Sequence, residues 1–469
     1  MKIKLITLFI IVIMILAGAS YYDHEKKASN YNVIFISFDG LQAKHLNKYG
    51  YFLNTTPNLD SFLEKSTIFS DAVSPSSWTV PTFMSIFTSM FPSEHKVVNK
   101  FIEYDKANNK IVGSNLQQLA PSAVTIAQIF KENGYQTAAF TGDAGVSENF
   151  GFNAGFDTFY QTKQPFGGFD DTIPQALSWL KNNSSQKFFL FLHGYDVHGQ
   201  SQPKEGYDYR YVQKPYTGKY TGSTKEQASL REEGLKNGEI NLSEQDLAFW
   251  RAIYDEKINR ADEKFGYFIN QVEQMGLMKN TIFVVFSDHG TEFYEHKKFD
   301  HGHSLYSELV NVLFSVRIPD VKGGTIKGTV STLDIFPTIF GLLNKSTLSV
   351  KQIEGYDLSS AIKKNQSVPE RNIFSETDYR LYTHKRSVQT PDGWKLVMTM
   401  KDSGNEKELY NIKNDPSETT NLINENPQMG YQLEQIIYAH LKDMESKGGS
   451  SADGPWVYGC SPVYGDQCQ

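Results

Sequence analysis

The chain has 469 residues, of which 39% are hydrophobic and 13% aromatic, and its formal net charge is −7. That length exceeds the ~250–300 residues at which single cores stop growing, so one large domain with a smaller companion is expected. The negative balance offers no electrostatic case for a nucleic-acid partner, and the apolar content excludes a disordered chain.

At the N-terminus, Lys2 and Lys4 precede the apolar run Leu5–Leu16, and Ala17-Gly18-Ala19 supplies a small-residue cleavage site. Residues 1–19 thus have the layout of a secretory signal peptide, shorter than the ~20 apolar residues of a bilayer span. An uncleaved signal anchor is the alternative. Residues 20–31 read as a linker, and the mature protein is expected in the periplasm or outside the cell, membrane-attached if the anchor stays.

Short apolar, β-branched or aromatic runs then recur in the manner of buried parallel strands: Val33–Phe38, Thr137–Phe140, Phe188–Leu192, Ile282–Phe286 and Val312–Val316. Helix-like stretches separate them, the clearest beginning near Ser243, with Asp246 in capping-box spacing and apolar residues at threes and fours from Leu247 to Val272. The alternation predicts an α/β domain, 32–345, with a mostly parallel sheet. Residues 200–240 are polar with little periodicity and read as an insertion or lid. The runs around Lys225 and Glu226 read as solvated faces.

From 346 to 445 the pattern changes to a smaller subdomain. Lys395–Met400 and Glu408–Ile412 alternate as two strands about a polar turn, and a last helix is predicted from Pro427 to Glu445. Residues 446–469 form a Gly/Ser-rich tail. It carries the only two cysteines, Cys460 and Cys468, which read as a staple or as free thiols remote from any chemistry.

Three strands end in polar residues: Val33–Phe38 in Asp39-Gly40, Phe188–Leu192 in His193, Asp196 and His198, and Ile282–Phe286 in Asp288-His289-Gly290. In open α/β sheets ligands bind beyond the carboxyl ends of strands. Asp39, Thr79, Asp288 and His289 together make a carboxylate, hydroxyl and imidazole set for a divalent cation, and a bound hydroxyl loses its proton more easily. The imidazole favours Zn²⁺ or Mn²⁺, with Ca²⁺ an alternative. A second ion would draw on Asp196, His198, His303 and His301; His193 reads either with that group or as a satisfied buried histidine. Thr79 itself has a plain alternative, as the hydroxyl cap of a Pro-initiated helix.

These residues carry a resemblance. "NVIFISFDGLQAKHLNKYGY", "TVPTFMSIFTSMFPSEHKV", "LHGYDVHG", "TIFVVFSDHGTEFYEH", "HGHSLYSELVNV" and "ELYNIKNDPSETTNL" are similar, in order and spacing from about Asn32 to Leu422, to the sulfatase branch of the alkaline phosphatase superfamily. The resemblance implies a doubly wound α/β fold with a smaller C-terminal antiparallel α+β subdomain. It also implies metal ligation by Asp39, Asp288 and His289, the nucleophile position at Thr79, and substrate-binding or second-metal groups at His198 and His303.

The chain departs from that family at the nucleophile, where sulfatases carry a formylglycine precursor. It has Phe83 in place of a supporting arginine, Gly40 in place of a second aspartate, and "TGDAG" at 141–145 where a Lys-Trp-His stretch is missing. A threonine sulfate ester cannot collapse to an aldehyde as a formylglycine hydrate does. The expected activity is therefore hydrolysis of phosphate mono- or diesters or phosphonate esters through Thr79, on a small-molecule, lipid or glycan substrate. A sulfuric ester hydrolase is the first alternative; an envelope phosphoryl transferase and a non-catalytic binding protein are the others.

Overall fold

The computed structural model describes residues 31–98, 103–105, 110–113, 117–347, 350–379, 383–401 and 403–447. The predicted signal segment, all of the linker but Tyr31, and the tail with Cys460 and Cys468 lie outside the described residues.

Nine strands make one mixed sheet: β1 (Asn32–Phe38), β2 (Thr67–Val73), β3 (Gln136–Thr141), β4 (Thr158–Gln161), β5 (Phe188–Gly194), β6 (Thr281–Ser287), β7 (Asn311–Val312), β8 (Phe314–Arg317) and β9 (Gly324–Ser331). Their order is β7-β2-β8-β6-β1-β5-β3-β4, with β9 also paired to β2. The half of the sheet from β6 to β4 is all parallel, as its unbroken apolar runs predict. The expected strand Val312–Val316 differs. It is two short strands, β7 and β8, broken at Leu313, and both run antiparallel to their neighbours.

Both faces of β1 are buried. Val33 and Phe35 belong to one core with Phe83, Phe87 and Phe336, while Ile34, Ile36 and Phe38 belong to the other with Trp250, Phe265 and Phe268. Alternation along the strand sends these two sets to opposite faces. Helices therefore cover both sides: α1 (Pro57–Leu63), α3 (Phe169–Asn183) and the 31-residue α5 (Glu244–Gln274) on the second core, and α2 (Thr79–Thr88) on the first. α5 starts as predicted, with Ser243 Oγ accepting the Asp246 N–H at 3.1 Å.

The 200–240 segment, read as an insertion or lid, packs in part against α5, where the Asp208 N–H donates to Glu256 at 2.8 Å. Its second half is a helix, α4 (Thr224–Asn237), closed by a full capping box between Ser223 and Glu226. The run read as a solvated face instead buries Gln227, Leu230 and Arg231, and Arg231 reaches Asp300 at 3.4 Å.

A four-stranded antiparallel sheet follows: β10 (Ile373–Tyr379), β11 (Thr383–Gln389), β12 (Trp394–Thr399) and β13 (Glu406–Asn411), backed by α6 (Pro427–Lys447). Val388, Leu396, Met398, Leu409, Leu433 and Ile437 form its own core. Upstream of that sheet, Leu358 and Ile362 pack in the core of the large sheet. β10 is tied to two loops that matter below. The Glu376 N–H donates to the Pro75 carbonyl at 2.8 Å, and Thr377 Oγ1 to the Gly302 carbonyl at 2.9 Å.

Candidate metal centre and nucleophile

Register brings the acidic residues together. Phe38 of β1 pairs with Ser287 of β6, so the next residues, Asp39 and Asp288, leave adjacent parallel strands side by side. Gly40, at φ +73°, turns the chain so that its N–H donates to Asp288 Oδ1 at 3.0 Å. A positive φ of that size suits glycine, which accounts for its standing where the sulfatase resemblance leads one to expect a second aspartate.

One ligand atom from each of Asp39, Asp288 and His289 lies within 4.8 Å of the others, and all three residues are fully buried. His289 Nδ1 must donate to the Gly290 carbonyl at 2.8 Å, which leaves a lone pair on Nε2 of the neutral ring. That lone pair faces Asp288 Oδ2 at 3.3 Å and Asp39 Oδ1 at 3.7 Å. Asp288 Oδ2 is buried with no hydrogen-bond donor, and burial holds the Asp288 carboxyl above the usual carboxylate range. Acceptors facing acceptors in a buried site are unfavourable without a cation, and this oxygen and nitrogen donor set fits one.

Thr79 is the first residue of α2, and its Oγ1 lies 3.3 Å from His289 Nε2. The hydroxyl does not cap the helix: the N-cap is Trp78, and no side chain caps the end. The positive end of α2 therefore falls beside Thr79, where an anionic group is favoured. Phe83, one turn on, is buried edge-on against the His193 ring at 5.1 Å, so apolar packing occupies the place of a supporting cation.

His193 supports Asp39. Its Nδ1 accepts the Gly142 N–H at 3.4 Å, so its Nε2 carries the hydrogen and donates to Asp39 Oδ2 at 3.2 Å. Burial pushes this imidazole down to about 3 and keeps it neutral. His198 is similar: Nδ1 accepts the Gln200 N–H at 3.3 Å, which leaves Nε2–H directed at Asp39 Oδ1, 3.7 Å away. His301 has the opposite tautomer, with Nδ1–H on Asp300 and a lone pair on Nε2; burial pushes its pKa down to about 4.

Of the four residues expected around a second ion, two come together and two bond elsewhere. His198 and His301 share a three-histidine group with His289, but Asp196 and His303 are spent elsewhere. Asp196 Oδ2 accepts the Phe169 N–H at 2.7 Å and Oδ1 pairs with Lys264 at 2.9 Å, so its carboxylate clamps α3 to α5. His303 Nε2 is bonded to Glu292 at 2.6 Å.

Sequence reasoning missed Asp300, Arg231, Glu292, Tyr195 and the wall of Phe166 and Tyr379. Phe166 stacks on His198 at 5.2 Å, and Tyr379 of β10 stands 6.1 Å from the His301 ring. One signal was present: the tripeptide Asp-His-Gly at 288–290 recurs at 300–302.

Two strand ends of the mixed sheet and the start of α2 thus bring two carboxylates, an imidazole and a hydroxyl together, a set of the kind that metal-assisted hydrolases use. A family model described as Sulfatase matches residues 31–345, and the chain belongs to the sulfatase family, within the alkaline phosphatase superfamily.

Among curated relatives, a sulfatase of Formosa agariphila is 23% identical, over 94% of this chain and 92% of its own. An arylsulfatase of Clostridium perfringens is 23% identical, over 90% of this chain and 96% of its own. The phosphonate monoester hydrolase of Agrobacterium radiobacter shares the fold with a TM-score of 0.66 at 18% identity, covering 89% of this chain and 96% of that one. A structure determined with its substrate D-glucosamine-2-N,6-O-disulfate shares it at 0.67 and 18%, over 89% and 98%.

Proposed function

We propose that this sulfatase-family hydrolase cleaves phosphorus esters (phosphate mono- or diesters or phosphonate esters) through Thr79. The observation that carries the reading is the Thr79 hydroxyl 3.3 Å from His289 Nε2, beside two buried carboxylates. A threonine hydroxyl has no aldehyde form, so an ester formed on it must be released by a second attack, which suits phosphorus better than sulfur.

Asp39, Asp288, His289 and Thr79 would hold one divalent cation, with Zn²⁺ or Mn²⁺ preferred for the imidazole and Ca²⁺ as the alternative. Such an ion supplies Lewis-acid charge that lowers the pKa of a bound hydroxyl and offsets charge developing on the ester. The Thr79 hydroxyl would give its proton to solvent as Oγ1 attacks phosphorus and forms the P–Oγ1 bond. The bond to the leaving alcohol would break with its electron pair going to the leaving oxygen, which takes a proton from solvent. Water would then attack phosphorus, the P–Oγ1 bond would break with its electron pair going to Oγ1, and the water's hydrogen would restore the Thr79 hydroxyl. The His198 Nε2–H, 3.7 Å from Asp39 Oδ1 and so too far for a hydrogen bond to it, would donate to an ester oxygen, and His193 fixes Asp39. The tautomer of His198 and the engagement of Asp196 and His303 support one ion rather than two.

The second reading, hydrolysis of sulfate esters, is favoured by the names of the relatives. The Lys2–Ala19 segment supports export to the periplasm or beyond. The experiment is a panel of aryl phosphate, phosphodiester, phosphonate and sulfate esters with added Zn²⁺, Mn²⁺ or Ca²⁺. Faster turnover of a phosphorus ester supports the proposal; faster turnover of the sulfate overturns it.

A further inference from the structure

Tyr195, the residue after β5, has no role in the reaction as described, yet it meets the same backbone turn as the nucleophile. It is 1% exposed, its ring set edge-on between His193 at 4.5 Å and His198 at 5.1 Å. Its Oη accepts the Gly145 N–H at 2.9 Å. A methyl group placed on Gly145 would lie 3.0 Å from Tyr195 Oη and 2.8 Å from Thr79 Cγ2, so the phenol and the threonine flank the same backbone atom.

The turn that holds this arrangement is unusual. Asp143 and Ala144 stand in succession at φ +62° and +53°, a conformation that costs side-chain-bearing residues energy and gathers at functional sites. Gly142 lacks a side chain where one would meet Tyr195 Cδ2 at 2.6 Å. The "TGDAG" turn thus serves to seat the phenol, and it carries no basic side chain.

A hydroxyl that accepts one N–H still has its own hydrogen to give. Among the described residues no acceptor is recorded for the Tyr195 hydrogen, and a buried donor without a partner is costly. Burial and the charges of Asp39 and Asp288 raise the phenol well above its ordinary value, so it stays protonated.

We propose that Tyr195 is a further catalytic residue, whose O–H donates to a nonbridging oxygen of the ester while Thr79 attacks. This rests on Thr79 as nucleophile. The phenol keeps its hydrogen throughout; the bond shortens as charge builds on the oxygen and relaxes when the leaving group departs. Fixed donors of this type are worth about 10²- to 10³-fold in kcat.

The test is Tyr195→Phe, assayed on the ester class the wild type turns over fastest and on its analogue with sulfur at a nonbridging position. The expected result is a kcat lower by about 100-fold, with KM and bound metal unchanged, and a sulfur effect smaller than in the wild type. A kcat within about twofold of wild type, or an undiminished sulfur effect, overturns the proposal. Should the variant fail to fold, 3,5-difluorotyrosine at position 195 keeps the packing and changes the donor's acidity; an unaltered rate then overturns it. Thr79→Ala run in parallel separates the two ideas. An active Thr79→Ala removes the nucleophile, whereas an inactive Thr79→Ala beside a fully active Tyr195→Phe removes the phenol alone. Phosphate and sulfate esters both present nonbridging oxygens, so the donor is read on either.

Discussion

Thr79 Oγ1 and His289 Nε2 stand 3.3 Å apart although 210 residues separate them in sequence. The contact joins the start of α2 to the end of β6, and removing either partner has a distinct consequence. Thr79→Ala is expected to lower kcat by about 10⁴-fold or more, as loss of a nucleophile does. Thr79→Ser keeps the hydroxyl but loses the methyl packed against Gly145, and should stay within about tenfold of wild type. Steady-state assays with metal-loaded protein check both.

The ligand assignment predicts a pattern of metal content. Asp288→Asn and His289→Ala each deplete the ion, because each removes one of the inward-facing acceptors. His198→Ala keeps the wild-type content, because the hydrogen of His198 lies on Nε2. Elemental analysis after dialysis reads this directly. Full occupancy in Asp288→Asn and His289→Ala would contradict the assignment.

Stability should depend on His296. Its Nδ1 bonds Glu308 at 2.7 Å and its Nε2 the Glu418 carbonyl at 3.0 Å, so both nitrogens donate and the ring is charged. Burial opposes that charge, but the bonds to Glu308 and Glu418 outweigh it and raise the imidazole from 6.5 to about 9. A raised pKa stabilises the folded state fully below 6.5 and ceases to do so as pH rises through 9. His296→Gln should therefore lower Tm more at pH 6 than at pH 9.5. Equal losses at both would contradict the charged bridge.

Lys395 of β12 and Glu418 form a buried pair at 2.7 Å, and Glu418 Oε2 also accepts the Ser307 N–H at 2.6 Å. Lys395→Met strands the carboxylate and should cost about 3–5 kcal/mol in denaturant unfolding. Adding Glu418→Gln should recover much of that loss, a non-additivity that a double-mutant cycle measures.

What could be read from sequence was what local pattern controls. Asp39, Asp288 and His193 were legible because unbroken apolar runs predict buried parallel strands and their ends predict a site. β2 and β9 were missed because Thr67–Val73 mixes Ser and Asp into an apolar run and Gly324–Ser331 carries a bulge at Gly328; long-range pairing holds both. α4 was read as a solvated face because a partner 69 residues on, Asp300, is what buries Arg231. Asp196 was misassigned for a related reason: its counter-charge, Lys264, lies 68 residues away on α5. Residue type proposes a ligand, but the nearest opposite charge decides whether it is free to bind one.

The most direct measurement is rapid-quench peptide mapping of metal-loaded protein mixed with an aryl phosphonate ester that is turned over. The account predicts a transient phosphonyl adduct on Thr79, absent in Thr79→Ala. An adduct on another residue, or turnover by Thr79→Ala at the wild-type rate, would contradict it.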